Sequence, residues 1–284
     1  MSFSSDIKEE ITKTNNYKNL KILEAEFLGY ILTGNVTMNS EGLEFITENE
    51  FNIERFYKIL FNLSLEYEPD RKGKKYIALV KKCDKLDEIM SIRLQQDEEL
   101  QKAIVKGAFL GSGSVTDPNK QYHLEIIFQE KSNAEYILNI CKIYGVNLKI
   151  LESNNIYLLY IKESEEISKF LALIGSNNGV MRFEDVRIMK EMKNNVNRLV
   201  NCETANINKI VNASVNQIND INLIKKLKKF EELPDYLKEI AIIRIENPDM
   251  SLKDLGAMLD KPIGKSGVNH RLQKIHEFAE ELRK

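Results

Sequence analysis

The chain has 284 residues, a net charge of −2 at pH 7, 43% hydrophobic residues and 30% charged residues. This length can supply two domains that each bury a core, and the composition is ordinary for a soluble protein. No apolar run could span a bilayer, the first residues do not form a signal peptide, and the three cysteines are widely separated. We therefore expect a cytoplasmic protein without a disulfide framework or a structural zinc site.

The small net charge conceals an asymmetry along the chain. Residues 1–181 contain 22 basic and 27 acidic side chains, whereas residues 182–284 contain 19 basic and 16 acidic ones. Nucleic-acid binding depends on the local field rather than on the total charge, so the C-terminal part remains a candidate for a DNA interface.

The first two-thirds of the chain contains an internal repeat. A short leading helix is predicted at residues 6–12 and a polar break at residues 15–19. Two copies then follow, each with a helix that ends in small residues, an alternating strand, a helix, a strand and a closing helix. The first copy is predicted at residues 25–36, 42–48, 52–67, 76–82 and 85–93, and the second at 105–115, 122–130, 133–145, 157–163 and 164–174.

The spacing between the copies favours a true duplication. Gly29 and Gly107 are 78 residues apart, and Tyr76 and Tyr157 are 81 apart. Any two α+β stretches can be aligned in part, but five elements in the same order at a nearly constant offset make that alternative weaker. The pattern therefore predicts a duplicated α+β unit.

Around Gly29 and Gly107 the chain resembles the LAGLIDADG homing endonucleases. The stretch VKGAFLGSGSV matches the motif of that family at Gly107, Gly113 and Ser114. The resemblance implies two helices packed along a pseudo-two-fold axis, with a saddle-shaped sheet lying on DNA. Small residues suit this arrangement, because two helices approach closely only where side chains lack bulk.

The metal-binding acids of that family are missing at the matching positions. The carboxylate at the helix end falls on Ser112 in the second copy and on or next to Gly34 in the first. Metal-dependent phosphodiester cleavage needs carboxylates to hold the cation. Asp117 and Glu26 lie nearby and are interpreted as surface or turn residues. We predict a retained scaffold without catalytic residues, metal or cofactor, and the alternative is an active LAGLIDADG-type endonuclease that uses displaced acids.

Residues 182–221 contain neither proline nor glycine and predict a long helix. At 100° per residue, one side collects Met189, Met192, Val196, Val200, Ile207 and Ile210. The opposite side collects Arg187, Lys190, Asn194, Arg198, Asn201, Lys209 and Asn212. Arginine and asparagine suit base edges and lysine suits phosphate, so this side is a candidate DNA surface. A solvated connector helix is the alternative, since asparagine is abundant throughout the chain. Residues 223–230 form a basic linker.

The last fifty residues predict a helix-turn-helix. A supporting helix lies between Pro234 and Pro248, and Ser251 is a good N-cap for the next helix, whose apolar face is Leu252, Leu255 and Leu259. A break with Asp260, Pro262 and Gly264 requires an extended turn. Ser266 then caps a recognition helix whose inward face is Val268, Leu272 and Ile275 and whose outer residues are Lys265, Asn269, His270, Arg271 and Lys274. The alternative is a helical hairpin with a solvated basic face.

Taken together, the degenerate repeat, NRLVNCETANINK at residues 197–209, and the terminal motifs SLKDLG and KSGVNHRL resemble the WhiA family of bacterial transcription regulators. The resemblance covers essentially the whole chain. It implies a regulator of cell division, chromosome segregation and, in spore formers, sporulation, with an inactive nuclease-like domain. By motif, Lys265, Ser266, Gly267, Asn269, His270 and Arg271 would lie at the DNA.

The expected architecture is an α+β tandem-repeat LAGLIDADG-like domain at residues 1–181, a basic linker helix at 182–230 and an all-α helix-turn-helix domain at 231–284. The expected DNA-binding residues are Lys265, Ser266, Gly267, Asn269, His270, Arg271, Lys274, Arg187, Lys190, Arg198, Asn201 and Lys209. The expected partner is double-stranded DNA, with another transcription factor or RNA polymerase as a further candidate. We expect a nucleoid-associated monomer or weak oligomer with no membrane contact, and an architectural or RNA-binding role for the basic helix stays open.

Overall fold

The computed structural model describes residues 2–13, 18–91 and 97–283. The chain divides into two compact units, Met1–Glu191 and Met192–Lys284. Within the described residues, none of the helices is both long and apolar enough to cross a membrane.

The first unit begins with a helix and then repeats one arrangement twice. The leading helix is α1 (Phe3–Thr12). The first copy contains α2 (Leu20–Ile31), β1 (Val36–Met38), β2 (Gly42–Thr47), α3 (Glu50–Asn62), β3 (Tyr67–Lys72), β4 (Lys75–Lys81) and α4 (Asp84–Ser91). The second contains α5 (Glu98–Ser112), β5 (Ser114–Val115), β6 (Leu124–Phe128), α6 (Lys131–Ile143), β7 (Lys149–Ser153), β8 (Ile156–Ile161) and α7 (Ser164–Leu173). The identical order confirms the predicted α+β duplication.

Each copy folds into a four-stranded antiparallel sheet of the same topology. The strand orders are β1-β2-β4-β3 and β5-β6-β8-β7. Phe45 pairs with Ala78 in the first sheet and Ile126 pairs with Leu159 in the second, so the register is shared by the two copies at an offset of 81 residues.

Four strands, β1, β3, β5 and β7, were not predicted: all lie at sheet edges, β1 and β5 have only three and two residues, and β3 and β7 lack an alternating burial pattern. The helix predicted at 52–67 would reach the first residue of β3, but α3 ends at Asn62, and Ser64 then adopts a left-handed backbone with φ 55°. Every residue of β7 is exposed. Exposed edge strands carry little periodic signal, since neither side chain face enters a core. Residues 15–17 of the predicted polar break and residues 92 and 93 of the predicted closing helix lie outside the described residues.

Helices α2 and α5 pack against each other through two glycines. A Cβ on Gly29 would overlap the carbonyl oxygen of Ile104, and a Cβ on Gly107 would overlap that of Glu26. These two contacts are related by the repeat, since Glu26 and Ile104 are also 78 residues apart. The two backbones can approach this closely only because both glycines lack side chains. The helix pair predicted from the glycine spacing is therefore present.

A single helix, α8 (Asn177–Lys226), begins in the first unit and ends in the second. The second unit continues with α9 (Asp235–Glu246), α10 (Leu252–Ala257) and α11 (Lys265–Arg283). Ile221 and Ile224 of α8 belong to the hydrophobic core of this unit. The predicted domain boundaries after residues 181 and 230 stay predictions. A domain that began at residue 231 would lack Ile221 and Ile224, which are part of its hydrophobic core.

Candidate nucleic-acid interface

The helix-turn-helix is built around a small apolar core. Leu255 on α10, Leu259 after it, and Val268, Leu272 and Ile275 on α11 are all at most 3% exposed. All five were predicted to face inward, and Leu252, predicted with them, is half-buried against the same core. Ser251 caps α10 as predicted, since its hydroxyl accepts the N–H of Asp254 at 3.3 Å.

The turn between α10 and α11 is long, as the sequence required, and glycine allows its close approach. The N–H of Ile263 donates to the carbonyl of Gly256 at 3.1 Å, and a Cβ on Gly256 would overlap the carbonyl oxygen of Ile263. Glu239 of α9 supports the same turn by accepting the N–H of Asp260 at 2.7 Å. The turn is therefore fixed from two sides.

The start of α11 presents polar side chains to solvent. Lys265, Ser266, Asn269 and His270 are exposed, and Gly267 is half-buried against Ile263. The sequence predicted that Ser266 would cap the helix, but α11 begins at Lys265 and Ser266 lies inside the first turn. Five of the predicted DNA-binding residues are thus brought together on one helix turn and the beginning of the next.

Arg271 departs from the outward orientation that was predicted, whereas Lys274 is exposed as predicted. Arg271 is half-buried, and its Nη1 donates to the carbonyl of Tyr236 at 3.1 Å and lies 3.4 Å from Glu239 Oε2. Lys274 is exposed but reaches the Tyr236 hydroxyl at 3.4 Å, and both cations lie over the Tyr236 ring. The long side chains bend back onto α9 because a carboxylate and an aromatic face are available there.

Sequence reasoning missed Arg244, which organises the segment leading into α10. Its Nη1 donates to the carbonyls of Asn247, Pro248 and Met250 at 3.4, 3.3 and 2.9 Å, and Arg244 is 1% exposed. Burial lowers the pKa of this guanidinium. An arginine within the apolar run EIAIIRIE was the available signal, because a charge in such a position needs buried partners.

The predicted polar side of α8 divides into two parts. Arg187 pairs with Glu184 at 2.7 Å, and Lys190 donates to the carbonyl of Pro118 at 2.5 Å and lies over the ring of Tyr122. Both are half-buried and bonded within the first unit, and their contact with DNA stays a prediction. Arg198, Asn201 and Lys209 are exposed. The predicted apolar side of α8 is exposed as well, from Met189 to Ile210.

The two helix ends that correspond to the nuclease acids are tied to a neighbouring strand by neutral groups. Ser112 Oγ donates to the carbonyl of Ile127 at 2.6 Å and accepts its N–H at 3.0 Å. The N–H of Gly34 donates to the same carbonyl at 2.8 Å, and the amide of Asn35 donates to the carbonyl of Gly111 at 2.8 Å. Among the described residues, no group of three His, Cys, Asp or Glu side chains could hold a metal ion.

Glu26 was predicted to be a surface or turn residue, and this is wrong. It is 1% exposed and lies 2.7 Å from Arg55 and 3.3 Å from Lys106. Burial alone would raise the pKa of Glu26, but Lys106 and Arg55 hold it below its ordinary value. The carboxylate is therefore kept charged inside the first unit by two cations. Asp117 does occupy a turn, where the N–H of Asn119 donates to Oδ1 at 2.8 Å and lowers the pKa of Asp117.

Comparison with known proteins agrees with this arrangement. The family model of the WhiA LAGLIDADG-like domain matches residues 23–97 and 101–193, and that of the WhiA C-terminal HTH domain matches residues 196–279. Relatives named "Probable cell division protein WhiA" from Lachnospira eligens and Clostridium beijerinckii are 39% and 38% identical. Those alignments cover 100% of this chain and 98% and 99% of the relatives.

A solved structure is similar along the whole chain. The full-length WhiA protein of Thermotoga maritima is 29% identical, with a TM-score of 0.67 and 99% of both chains covered. A separate structure of the N-terminal LAGLIDADG domain of WhiA is 28% identical, with a TM-score of 0.55, and covers 61% of this chain and 92% of that chain. On this agreement of both domains, the chain belongs to the WhiA family.

Proposed function

We propose that the chain is a sequence-specific, non-catalytic DNA-binding transcription regulator that acts in cell division, chromosome segregation and, in spore formers, sporulation. The observation that carries the proposal is the helix-turn-helix, whose α11 exposes Lys265, Ser266, Asn269 and His270 around its first turn. The name of the relatives, which refers to cell division, supports the assignment to that process. Nucleoid association follows from the same proposal.

The chemistry of α11 suits DNA. A helix N-terminus carries unbonded N–H groups and a partial positive charge, both of which attract phosphate, and Lys265 adds a full charge there. Asn269 has an amide that can bond both N6 and N7 of adenine, and His270 can donate or accept at a base edge. Lys274 and, on α8, Arg198, Asn201 and Lys209 would add contacts to the phosphate backbone, which fix register without reading sequence.

The protein partners of such a regulator would be another transcription factor or RNA polymerase. Arg271 is given two roles in this proposal, contact with DNA and orientation of α11, since its guanidinium is held by Glu239 beside the exposed residues. Arg187 and Lys190, which bond within the first unit, are assigned no base contact.

The binding proposal is tested by recovering the bound sites and then removing one candidate base contact. Chromatin immunoprecipitation of the full chain should return a common sequence, and fluorescence anisotropy should give a lower affinity of Asn269→Ala for it, by about 1–3 kcal/mol. Asn222→Ala, an exposed asparagine on α8, is the matched control. An affinity for the recovered site that is equal in Asn269→Ala and the unchanged chain would contradict the assignment of α11 as the recognition helix.

The non-catalytic part of the proposal rests on the neutral groups at Ser112 and Gly34. A hydroxyl and a backbone N–H are poor replacements for two carboxylates around a divalent cation. Supercoiled plasmid carrying the recovered site should therefore stay intact with the full chain and Mg²⁺. Cleavage that is abolished by Asp117→Asn would instead support the alternative, an active endonuclease that uses displaced acids.

A further inference from the structure

The turn between β3 and β4 concentrates positive charge at one end of the first sheet. Four of the five residues from 71 to 75 are cations and none is acidic. All five are exposed. We call the four cations the basic tip: Arg71, Lys72, Lys74 and Lys75. A short segment this rich in lysine and arginine is typical of a surface that binds a polyanion.

The charge of the basic tip is not neutralised by the protein. In the part of the chain that the structure describes, no carboxylate forms an ion pair with any of the four side chains. At the other end of the same hairpin, Lys81 lies 3.5 Å from both Glu66 and Glu68. Arg71 lies over the ring of Tyr76, 4.8 Å from its centre, which leaves the guanidinium fully charged. The hairpin is therefore neutralised at its base and cationic at its tip.

The second copy makes the same turn without cations. Lys72 pairs with Lys75 across the first turn, and Ser153 pairs with Ile156 across the second, at the offset of 81 residues that relates the two sheets. Residues 152–156 contain one carboxylate and no cation. Like charges directly opposite each other on adjacent strands destabilise a hairpin. The fold thus has no need of the basic tip, and its charges act against folding, so they point to binding.

We propose that the basic tip binds the phosphate backbone of double-stranded DNA, as a second contact apart from α11. The proposal rests on the proposed function, because a chain that holds DNA through α11 gains affinity from any further contact that it makes. Three of the four cations are lysines, which bind phosphate as compact point charges on flexible chains and do not read base edges. The contact is therefore independent of DNA sequence.

An acidic protein surface is the weaker alternative. Protein interfaces are depleted of lysine and are built around an apolar centre. The basic tip offers no such centre, since Tyr76 is half-buried beneath Arg71 and Ile77 is buried.

The open face of the first sheet does not extend the proposed contact. Glu44, Leu79 and Glu68 lie side by side on three adjacent strands, and Leu79 is 39% exposed. Two carboxylates around an aliphatic side chain repel phosphate and attract no counter-charge from DNA. The proposed contact is therefore confined to the basic tip.

The proposal is tested by fluorescence anisotropy of the full chain on a random-sequence duplex at several salt concentrations. The test variant is the triple change Lys72→Gln, Lys74→Gln and Lys75→Gln. Each phosphate contact contributes about 0.9 to the slope of log affinity against log salt. The triple variant should therefore reduce that slope by about two to three, and the affinity in 0.1 M salt should fall roughly tenfold or more.

A second triple variant controls for the change in net charge. Lys58→Gln, Lys131→Gln and Lys169→Gln remove the same three charges from exposed positions of the first unit, where each lysine pairs with a glutamate four residues away on its own helix. This variant should keep the slope of the unchanged chain. The thermal midpoint of the test variant should be equal to or above that of the unchanged chain, because the substitutions relieve repulsion between Lys72 and Lys75.

Chemical labelling locates the contact. Lysines are acetylated with and without the random duplex, and the rate at each lysine is read by mass spectrometry. The duplex should slow acetylation of Lys72, Lys74 and Lys75 about threefold or more, and should leave Lys58 and Lys131 unchanged.

Each result decides the matter. A selective loss of slope in the test variant, together with protection of the basic tip, would establish the proposal. Equal affinity and equal slope in the two triple variants would overturn it, and so would equal acetylation of the basic tip with and without DNA. An acidic protein would then be the partner to seek. An unchanged chain that binds no DNA would instead refute the proposed function, whereas a chain that binds DNA alike with and without the basic tip refutes only this inference.

Discussion

Glu239 on α9 bonds at once to Arg271 on α11 and to the turn before it. Its Oε2 lies 3.4 Å from Arg271 Nη1, while its Oε1 accepts the N–H of Asp260 at 2.7 Å. One carboxylate therefore links the supporting helix, the turn and the recognition helix. Such a link fixes the direction in which α11 presents its exposed residues.

Arg271→Ala is expected to weaken specific DNA binding by about 1–3 kcal/mol, because it removes a charged group from the recognition helix. Glu239→Gln keeps an acceptor for Asp260 but removes the ion pair, so it separates two explanations. If Arg271 contacts DNA, only Arg271→Ala should weaken binding strongly. If Arg271 acts by orienting α11, both variants should weaken binding and lower the thermal midpoint alike. Arg271→Ala with unchanged affinity for every target would show that the recognition helix is wrongly placed.

Lys274→Ala is expected to act differently from Arg271→Ala. Lys274 is exposed near the Tyr236 hydroxyl, so it can turn toward phosphate at little cost. Its loss should weaken binding to all sequences about equally and reduce the slope of log affinity against log salt by about one. A titration at several salt concentrations on specific and random DNA provides the measurement. A loss confined to the specific sequence would contradict the phosphate assignment.

The position of the N-terminal boundary of the C-terminal domain can be tested by comparing the stability of two fragments. From sequence alone, residues 231–284 are expected to fold and bind DNA. The packing indicates that residues 214–284 are a better fragment, because Ile221 and Ile224 enter the core and Asp220 lies 2.7 Å from both His276 and Arg283. Loss of each buried isoleucine should destabilise the shorter fragment by roughly 2–5 kcal/mol. Thermal melts followed by circular dichroism compare the two, and equal midpoints would contradict the role given to α8.

The sequence predicted what depends on local periodicity. The glycine spacing identified the α2–α5 pair, and the apolar positions of α10 and α11 followed from helical spacing. Side-chain partners could not be predicted, because they join distant parts of the chain. Glu26 lies in a run that reads as an ordinary helix, and it is buried only because Arg55 and Lys106 reach it from 29 and 80 residues away. Arg271 turns inward for the same reason, since nothing in its own helix specifies Glu239.

Lys8 on α1 should make stability depend on pH. It is half-buried, its ammonium lies 5.8 Å from the ring centre of Phe109, and burial lowers the pKa of Lys8 from 10.5 to about 8. Between about pH 8 and 10.5 the unfolded chain keeps a proton that the folded chain has released. Stability contributed by this group therefore rises with pH across that window, and below about pH 8 the full desolvation cost is present.

Lys8→Met should accordingly raise the stability of the first unit at pH 7 by about 1–3 kcal/mol, and this gain should shrink as the pH approaches 10. Lys13→Met is the control, because Lys13 is exposed and pairs with Glu9 at 2.7 Å on the surface. Urea denaturation at pH 7, 8.5 and 10 gives the three differences. If the difference in unfolding free energy between Lys8→Met and the unchanged chain were the same at all three pH values, burial would not lower the pKa of Lys8.

Gly107→Ala tests the close approach of α2 and α5. In an exposed helix this change would stabilise by about 0.5–1 kcal/mol, because alanine restricts the unfolded chain. Here the added methyl group would meet the carbonyl oxygen of Glu26, and a backbone atom cannot move unless the whole helix moves. We therefore expect the opposite sign, a loss of more than about 2 kcal/mol in the free energy of unfolding.

Gly111→Ala supplies the matched comparison on the same helix. The three atoms nearest to a methyl group added at residue 111 all belong to the Thr33 side chain. Alone, Gly111→Ala should destabilise the first unit. Combined with Thr33→Ala, which removes Oγ1 and Cγ2, the two nearest of these atoms, and leaves Cβ at 3.2 Å, it should be close to Thr33→Ala in stability. At Gly107 the three nearest atoms are backbone atoms of Glu26 and Gly29, so truncating a side chain cannot remove the overlap. If Gly107→Ala were tolerated in urea denaturation, the two helices would have to lie farther apart than the packing of Gly29 and Gly107 requires.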